Sequence, residues 1–183
     1  SKTRVICQNQ QMIRIDNEMT NDISANEEEE ILGKFKEYIV QKKPHLLIME
    51  DYNKGVLTET VITSVIRICK EHNVLIAVDP KKKNFFSYKG VDIIKPNLKE
   101  VVQAVGVECN DISSIALGKL HNAMKERLNH KISLISLSEH GVYYNSDNNA
   151  VIIPSHRRVI ADVSWAGDTV IAVATAVFAA TGD

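Results

Sequence analysis

The stretch Thr58–Pro80, TETVITSVIRICKEHNVLIAVDP, decides the fold class of this sequence. Its first part carries apolar residues at helical spacing, which predicts an amphipathic helix over Thr58–His72. The stripe consists of Val61, Val65, Ile68 and Cys69. An unbroken apolar run, Val74–Val78, follows and ends at Asp79-Pro80. A short run of this kind is typical of a strand that is covered on both faces.

The same alternation of helix and strand continues on both sides of this stretch. Further helices are predicted at Glu27–Gln41, about Leu98–Val105, about Ile112–Leu128, and through the small apolar run Val170–Ala180. Further strands are predicted at His45–Met49, Val91–Ile94 and Ile132–Leu137, with a half-buried hairpin of Thr3–Cys7 and Met12–Ile15 and a second hairpin of Val142–Tyr144 and Ala150–Ile153. This order indicates an α/β fold with a mainly parallel central sheet and helices on both faces.

Composition limits the possible classes of function. A chain of 183 residues that is 44% hydrophobic can bury one core, so a single domain is expected. The net charge of −1 argues against a nucleic-acid partner bound through charge. The three cysteines are widely spaced, which predicts neither a disulfide framework nor a zinc site. No apolar run has membrane-spanning length and the N-terminus is polar, so we expect a cytoplasmic protein with no membrane partner.

Polar sequences follow the predicted strands at the points where the strands end. They are Glu50–Gly55, Asp79–Lys81, Asn97–Glu100, Ser138–Gly141 and the turn Asp162–Asp168. In open α/β sheets, ligands bind beyond the carboxyl ends of the strands. We therefore expect these five polar sequences to share one edge of the sheet and to form the functional site.

The last of these sequences has the most informative chemistry. The turn Asp162–Asp168 leads into the C-terminal helix, and the first backbone N–H groups of a helix attract anions. A carboxylate such as that of Asp168 repels an anion, so its presence at this position needs a reason. One such reason is a chemical task, for example accepting a proton from an attacking hydroxyl. Phosphoryl transfer needs both parts, donors for the charge and a base for the nucleophile. The alternative is that Asp168 is simply the N-cap of a buried helix.

The segment Trp165-Ala166-Gly167-Asp168 resembles the Gly-Ala-Gly-Asp signature of the ribokinase-like (PfkB) carbohydrate kinases, with tryptophan in place of the first glycine. The resemblance implies a ribokinase-like three-layer sandwich and an ATP-dependent sugar kinase. It further implies that the amides of Trp165, Ala166 and Gly167 receive the γ-phosphoryl oxygens and that Asp168 deprotonates the sugar hydroxyl.

Two further sequences match the order of motifs in that family. Asn97-Leu98-Lys99-Glu100 resembles the Asn-x-x-Glu motif, which implies binding of Mg²⁺ and of the nucleotide phosphates, with Glu100 as the metal residue. The alternative is a helix start in which Asn97 and Glu100 form a capping box. Ser138, Glu139 and Gly141 occupy the place where the family contacts the nucleotide, so the resemblance implies nucleotide contacts for them. The alternative is that Gly141 only permits a tight turn. His140 is expected to be an exposed surface residue.

The resemblance is closer still to the heptose-7-phosphate kinase branch, the kinase part of bifunctional ADP-heptose synthases. It is carried by Asn9-Gln10-Gln11 with Arg14 and Asp16, by Asp51–Gly55, by Asp79–Lys81 and by Lys95–Glu100. It implies phosphorylation of the anomeric hydroxyl of a heptose 7-phosphate, so that a phosphorylated sugar, ATP and Mg²⁺ are the expected partners. Gln10, Arg14 and Lys54 are candidates for the sugar phosphate, each also explained as an exposed polar residue.

The sequence departs from the family in its extent. The Gly-rich segment that usually holds the sugar and the helices that complete the adenine pocket have no counterpart, so residues 1–183 are expected to be a partial kinase domain truncated at both ends. Surfaces exposed by such a truncation promote association, which predicts a homo-oligomer.

Trp165 is the second departure. A glycine at this position lets backbone approach phosphate closely, and tryptophan does not. Three explanations remain open: a natural loss of activity, a point mutation or sequence error, or a tolerated ring that points to solvent. We expect little kinase activity from this chain, and the alternative function is a non-catalytic nucleotide-binding or assembly module. A Rossmann dinucleotide enzyme is disfavoured because the chain contains no G-x-G-x-x-G.

Overall fold

The computed structural model describes residues 2–7, 10–16, 18, 20–109, 111–146, 149–155 and 166–182. The helices are α1 (Ala25–Lys42), α2 (Glu59–Glu71), α3 (Leu98–Val105), α4 (Ser114–Leu128) and α5 (Ala166–Thr181), with short 3₁₀ turns at Lys82–Ser87 and Ser138–His140. The strands are β1 (Lys2–Cys7), β2 (Gln10–Asp16), β3 (Leu46–Glu50), β4 (Leu75–Asp79), β5 (Ile93–Ile94), β6 (Ile132–Ser136), β7 (Val142–Asn145) and β8 (Ala150–Ile153). The predicted order of elements is thereby confirmed.

The central sheet has six strands in the order β3-β4-β5-β6-β7-β8. The pairs from β3 to β6 are parallel, and β7 and β8 are added as an antiparallel hairpin. Because the first four strands run the same way, their carboxyl ends meet at one edge, where Glu50 is paired in register with Asp79. The predicted α/β class with a mainly parallel sheet is confirmed.

Helices cover both faces of the sheet. One face packs against α1 to α4 around a large core that includes Ile39, Ile62 and Leu120. The other face packs against α5, where Ile171 joins Ala77 and Ile93 in a second cluster. These three layers agree with the sandwich that the sequence predicted.

Side chains mark the beginnings of the helices that lead away from the site edge. The Thr58 hydroxyl accepts the Val61 N–H at the start of α2, and the Ser113 hydroxyl accepts the Ala116 N–H at the start of α4. Such N-caps satisfy backbone donors that have no partner within the helix. The α2 stripe is buried as predicted, and burial raises the pKa of Cys69, near the C-terminal end of α2, to about 11.

One expectation about exposure was wrong. The hairpin of β1 and β2 forms a separate two-stranded sheet, and its described apolar side chains are exposed rather than half-buried. Tyr38 on α1 is also exposed, at 55%. In the lysine run after β4, Lys81 is half-buried in ion pairs, whereas Lys82 and Lys83 are exposed at the start of a 3₁₀ turn. Among the described helices, none is long and apolar enough to cross a membrane.

Candidate active site

Three carboxylates come together at the carboxyl edge of the sheet. Glu50 ends β3, Asp79 ends β4, and Asp168 lies in the first turn of α5, which crosses this end of the two strands. One oxygen from each carboxylate lies within 4.8 Å of the others. Parallel pairing of β3 with β4 sets the first two side by side, and packing of α5 on these strands brings the third.

Two lysines balance part of this negative charge. Lys95, which follows β5, is buried and its Nζ lies 2.8 Å from Asp79 Oδ2. Lys81 Nζ lies 3.3 Å from Asp79 Oδ1 and 2.8 Å from Glu100 Oε1. Asp79 is therefore held between two ammonium groups, and Lys81 links the carboxylate cluster to the start of α3.

The pKa of the Glu50 carboxyl is raised. Burial is the largest cause, followed by the negative charges of Asp79 and Asp168, while Lys95 and Lys81 act in the opposite direction. The pKa of Lys81 is also raised: burial opposes its charge, but the hydrogen bond that it donates to Glu100 and the charge of Asp79 outweigh this effect. A nearby cation would therefore stabilise the ionised form of Glu50, and Lys81 keeps its positive charge.

The first turn of α5 lies directly over the buried lysine. A Cβ added at Gly167 would be 3.3 Å from Lys95 Nζ, tighter than most such contacts. Glycine at this position therefore allows the helix start to approach the ammonium group closely. Trp165, predicted as a phosphate-side residue, lies outside the described residues, and so does the side chain of Ala166.

The predicted Asn97-x-x-Glu100 motif forms a capping box at the start of α3. The Asn97 side chain accepts the Glu100 N–H at 2.9 Å, and Glu100 Oε2 accepts the Asn97 N–H at 2.8 Å. Both oxygens of Glu100 are engaged, one by this bond and one by Lys81. Leu98 is half-buried and Lys99 is exposed. The capping box that was the alternative explanation of this motif is therefore present. The metal role of Glu100 stays a prediction.

The predicted nucleotide-side turn, Ser138–Gly141, follows β6 at the same edge. Ser138, Glu139 and His140 are exposed, as expected for His140. Gly141 has φ +99°, and a Cβ there would lie 1.9 Å from the Ile153 carbonyl oxygen. The local need for glycine thus comes from β8 passing close by. The nucleotide contacts of this turn stay a prediction.

For the described residues of these sequences, which exclude 162–165, a series of contacts supports the predicted edge location. Asn97 pairs with Ser136 at the end of β6, Glu100 contacts Lys81, and Lys81 contacts Asp79, which adjoins Asp168. Sequence reasoning placed Glu50 and Asp79 on this edge but gave them no individual role, and it did not include Lys95 among the edge residues. The signal was available in their position at the ends of adjacent parallel strands.

Lys54, a candidate for the sugar phosphate, forms an ion pair with Glu18. The side chains of Gln10 and Arg14, the other two candidates, lie outside the described residues.

Comparison with known proteins gives the family. The pfkB family carbohydrate kinase profile matches residues 2–183, and the chain belongs to this family. It is 37% identical over 171 residues to the Bifunctional protein HldE of Aliarcobacter butzleri, covering 93% of this chain and 35% of that protein. It is 35% identical over 173 residues to the Bifunctional protein HldE of Geobacter metallireducens, covering 94% and 34%. The chain thus spans about a third of the length of these relatives.

Solved structures give the fold. Phosphofructokinase-2 from Escherichia coli in complex with fructose-6-phosphate aligns with a TM-score of 0.72 at 17% identity, over 97% of this chain and 57% of that one. Ribokinase from Arabidopsis thaliana complexed with ribose and ATP aligns with a TM-score of 0.60 at 16% identity, over 88% and 48%. The ribokinase-like fold predicted from the sequence is confirmed.

Proposed function

We propose that this chain carries the phosphoryl-transfer part of an ATP-dependent kinase that phosphorylates the anomeric hydroxyl of a heptose 7-phosphate. One observation supports the chemistry above all. Asp168 lies in the first turn of α5, at the carboxyl edge of the sheet, with Glu50 and Asp79 beside it. The heptose rests on the resemblance of the stretches Asp51–Gly55, Asp79–Lys81 and Lys95–Glu100 to the heptose-7-phosphate kinases.

Asp168 is the base in this proposal. Its carboxylate accepts the proton of the sugar hydroxyl as the hydroxyl oxygen attacks the γ-phosphorus, and the bond from that phosphorus to the ADP oxygen breaks. The backbone N–H groups that begin α5 receive the charge of the transferred group, because they have no partner within the helix.

Lys95 adds a fixed positive charge below this position. Its ammonium group lies under Gly167 and is paired with Asp79, so it is held in place by burial and by an ion pair. Charge of this kind stabilises a transition state because it needs no rearrangement during the reaction.

The carboxylate cluster fits a magnesium ion. Magnesium prefers oxygen ligands, accepts one or two carboxylates and keeps several waters. Glu50 offers such an oxygen within the 4.8 Å cluster, while Asp168 is kept as the base. Burial and then the neighbouring carboxylates raise the pKa of Glu50, and a bound cation would act in the opposite direction. When bound, the ion neutralises charge on the nucleotide phosphates. Glu100 would act through bound water, since both of its oxygens already accept hydrogen bonds.

The test is Asp168→Asn in the complete gene product, assayed for transfer of labelled γ-phosphate to heptose 7-phosphate. Because Trp165 replaces the signature glycine, the assay uses the natural protein and a Trp165→Gly background, in which we expect turnover to rise by about a hundredfold. Asp168→Asn is expected to lower turnover by about a hundredfold or more, since an amide cannot act as the base.

Asp111→Asn is the matched control, because an asparagine oxygen can still accept the Ser113 N–H at this exposed turn. Loss of activity only with Asp168→Asn supports the proposal, and full activity of both variants refutes the base. ATP binding with magnesium but no transfer in either background supports the alternative, a non-catalytic nucleotide-binding module, which Trp165 favours.

A further inference from the structure

We propose that Tyr52 is a positioning residue for phosphoryl transfer: its hydroxyl holds the Asp168 carboxylate in the orientation from which that carboxylate takes the sugar proton. The Tyr52 hydroxyl donates to Asp168 Oδ2 at 3.2 Å, across a sequence separation of 116 residues. The inference rests on the proposed function, because it assigns Tyr52 a task only if Asp168 is the base.

Asp168 needs such a donor because of its neighbours. Its carboxylate shares a 4.8 Å cluster with those of Glu50 and Asp79, and like charges at this range repel. Repulsion favours rotamers that carry the Asp168 carboxylate away from the site. A hydrogen bond to Oδ2 opposes that rotation and leaves Oδ1 for the substrate hydroxyl. Positioning matters because small displacements of a reacting group are costly to rate.

The backbone that carries Tyr52 is fixed from the residue before it. Asp51 is buried, and its carboxylate accepts the Tyr88 hydroxyl at 2.8 Å and the Asn53 N–H at 2.7 Å. The Asp51 N–H donates to the Asp79 carbonyl at 3.1 Å. Tyr52 therefore projects from a segment that is tied to the end of β4.

The other end of the same loop is equally constrained. Gly55 has φ +81°, and a Cβ there would lie 1.9 Å from the Asn21 carbonyl oxygen. The Gly55 carbonyl accepts the Ile23 N–H at 3.0 Å. With both ends of the loop held, the Tyr52 ring reaches Asp168 from a defined starting point, although the ring itself is 58% exposed.

The phenol keeps its proton in this setting. A phenol ordinarily titrates at about pH 10, so the Tyr52 hydroxyl carries its proton at neutral pH and donates to Asp168 Oδ2. Because the ring is largely exposed, removing the hydroxyl leaves core packing unchanged, so an effect on rate can be separated from an effect on folding.

The test is Tyr52→Phe in the complete gene product, in the background that gives measurable turnover. We expect kcat to fall by about tenfold, as for loss of a hydrogen bond to a charged group. KM for the sugar and for ATP should stay within about twofold, because a group that acts through the base contributes to the transition state alone. Tyr38→Phe is the matched control, since Tyr38 is 55% exposed on α1.

A double variant tests whether Tyr52 acts through Asp168. Residues that act as a unit are not additive, so Tyr52→Phe combined with Asp168→Asn should be no slower than Asp168→Asn alone. Radiolabelled ATP gives the sensitivity for these residual rates. An additional tenfold loss in the double variant overturns the proposal, as does a kcat for Tyr52→Phe within about twofold of its parent.

The outcomes separate this proposal from the function beneath it. If Asp168→Asn retains the parent rate, the base assignment fails and the role of Tyr52 fails with it. If Asp168→Asn is slow while Tyr52→Phe is unimpaired, only the positioning role is wrong. A fall in kcat accompanied by a lowered unfolding midpoint for Tyr52→Phe, relative to Tyr38→Phe, makes the role structural and also overturns it.

Discussion

At the scale of single residues, the charge balance of the site leaves Glu50 in the least favourable position. Asp79 is paired with two lysines, and Asp168 accepts a hydrogen bond from Tyr52. Glu50 interacts with the same two lysines only through charge at longer range. Its pKa is raised by burial and by the two neighbouring carboxylates. Because the pKa of Glu50 is higher in the folded chain than in the unfolded chain, this carboxyl group favours folding when it is protonated and disfavours folding when it is ionised.

Replacing Glu50 by glutamine should therefore stabilise the protein at neutral pH. The folded-state pKa lies above the ordinary value of 4.5, so the favourable contribution of wild-type Glu50 is complete below pH 4.5 and is lost as pH rises through the raised pKa. After allowance for solvent screening, we expect Glu50→Gln to raise the free energy of unfolding by up to about 1 kcal/mol at pH 7 and by nothing at pH 4.

Urea unfolding at the two pH values measures this difference, with exposed Glu29→Gln on α1 as the control. Magnesium chloride should raise the midpoint of the wild type more than that of Glu50→Gln, because a ligand stabilises the state that binds it. A Glu50→Gln protein less stable than the wild type at pH 7 would contradict the assignment of repulsion.

Sequence reasoning identified some of the site residues and missed others for a physical reason. The location of Asp168, Asn97 and Glu100 at the sheet edge could be predicted because each begins a helix or follows a strand, and such positions are visible in local patterns; their roles stay predictions. The contact of Tyr52 with Asp168 joins residues 116 positions apart, and it depends on how α5 packs over β3. No local periodicity contains that information. The alternative of a capping box for Glu100 was equally visible, and both oxygens of Glu100 are in fact engaged.

At the scale of elements, the hairpin of β7 and β8 depends on one glycine. Gly141 precedes β7 with φ +99°, and the Ile153 carbonyl of β8 lies 1.9 Å from the place of a Cβ. The backbone of β8 cannot move away without loss of its pairing with β7, in which Ile153 is the partner of Val142. The close approach therefore excludes every side chain at position 141.

Gly141→Ala should destabilise the protein by about 2 kcal/mol or more, from backbone strain and from the clash with Ile153. Gly118→Ala is the matched control, since Gly118 lies within α4 and a Cβ there would be 3.7 Å from the Tyr143 hydroxyl, an ordinary contact distance. There alanine should be neutral or stabilising by up to about 1 kcal/mol. Thermal and urea unfolding measure the stability of both variants. Equal stability of the two would show that the β8 backbone can move to accommodate a side chain at position 141.

The boundaries of an element could be predicted where apolar periodicity and capping residues agree. A helix was predicted at about Leu98–Val105, and α3 spans these residues with Asn97 and Gly106 as its caps. The exposure of the first hairpin could not be predicted in this way. Alternation shows that two strands can pair, but Ile6, Met12 and Ile13 are exposed because the fold brings no layer over them.

At the scale of the whole molecule, the ribbon of β1 and β2 is the largest departure from a compact shape. Neither core cluster of the described residues draws a member from it. Its exposed apolar side chains are Val5, Ile6, Met12, Ile13 and Ile15. An isolated two-stranded ribbon is marginal in water, and contiguous exposed apolar side chains mark association surfaces. The homo-oligomer predicted from the sequence therefore has a candidate interface.

Placing lysines on one face of the ribbon should weaken self-association. Ile13 is paired with Val5, and Ile15 lies two residues further along the same face. We expect the double change Ile13→Lys and Ile15→Lys to shift the protein toward monomer in light scattering, because burying two charges in an apolar interface is costly. Ile115→Lys on α4, where the side chain is 77% exposed, controls for added charge. A natural protein that is monomeric at all accessible concentrations would exclude the interface.

Gly167 and Lys95 are far apart in the sequence but close together in the structure, so the residues allowed at one position depend on the residue at the other. A Cβ at position 167 would lie 3.3 Å from Lys95 Nζ, so the lysine end group would have to shift by a few tenths of an ångström. A larger residue at 167 requires a shorter or displaced side chain at 95, and a shorter side chain at 95 leaves Asp79 without its closer cation. The contact with Lys95 therefore restricts substitutions in the signature turn. Any redesign of residues 165–168 has to treat position 95 as part of the same motif.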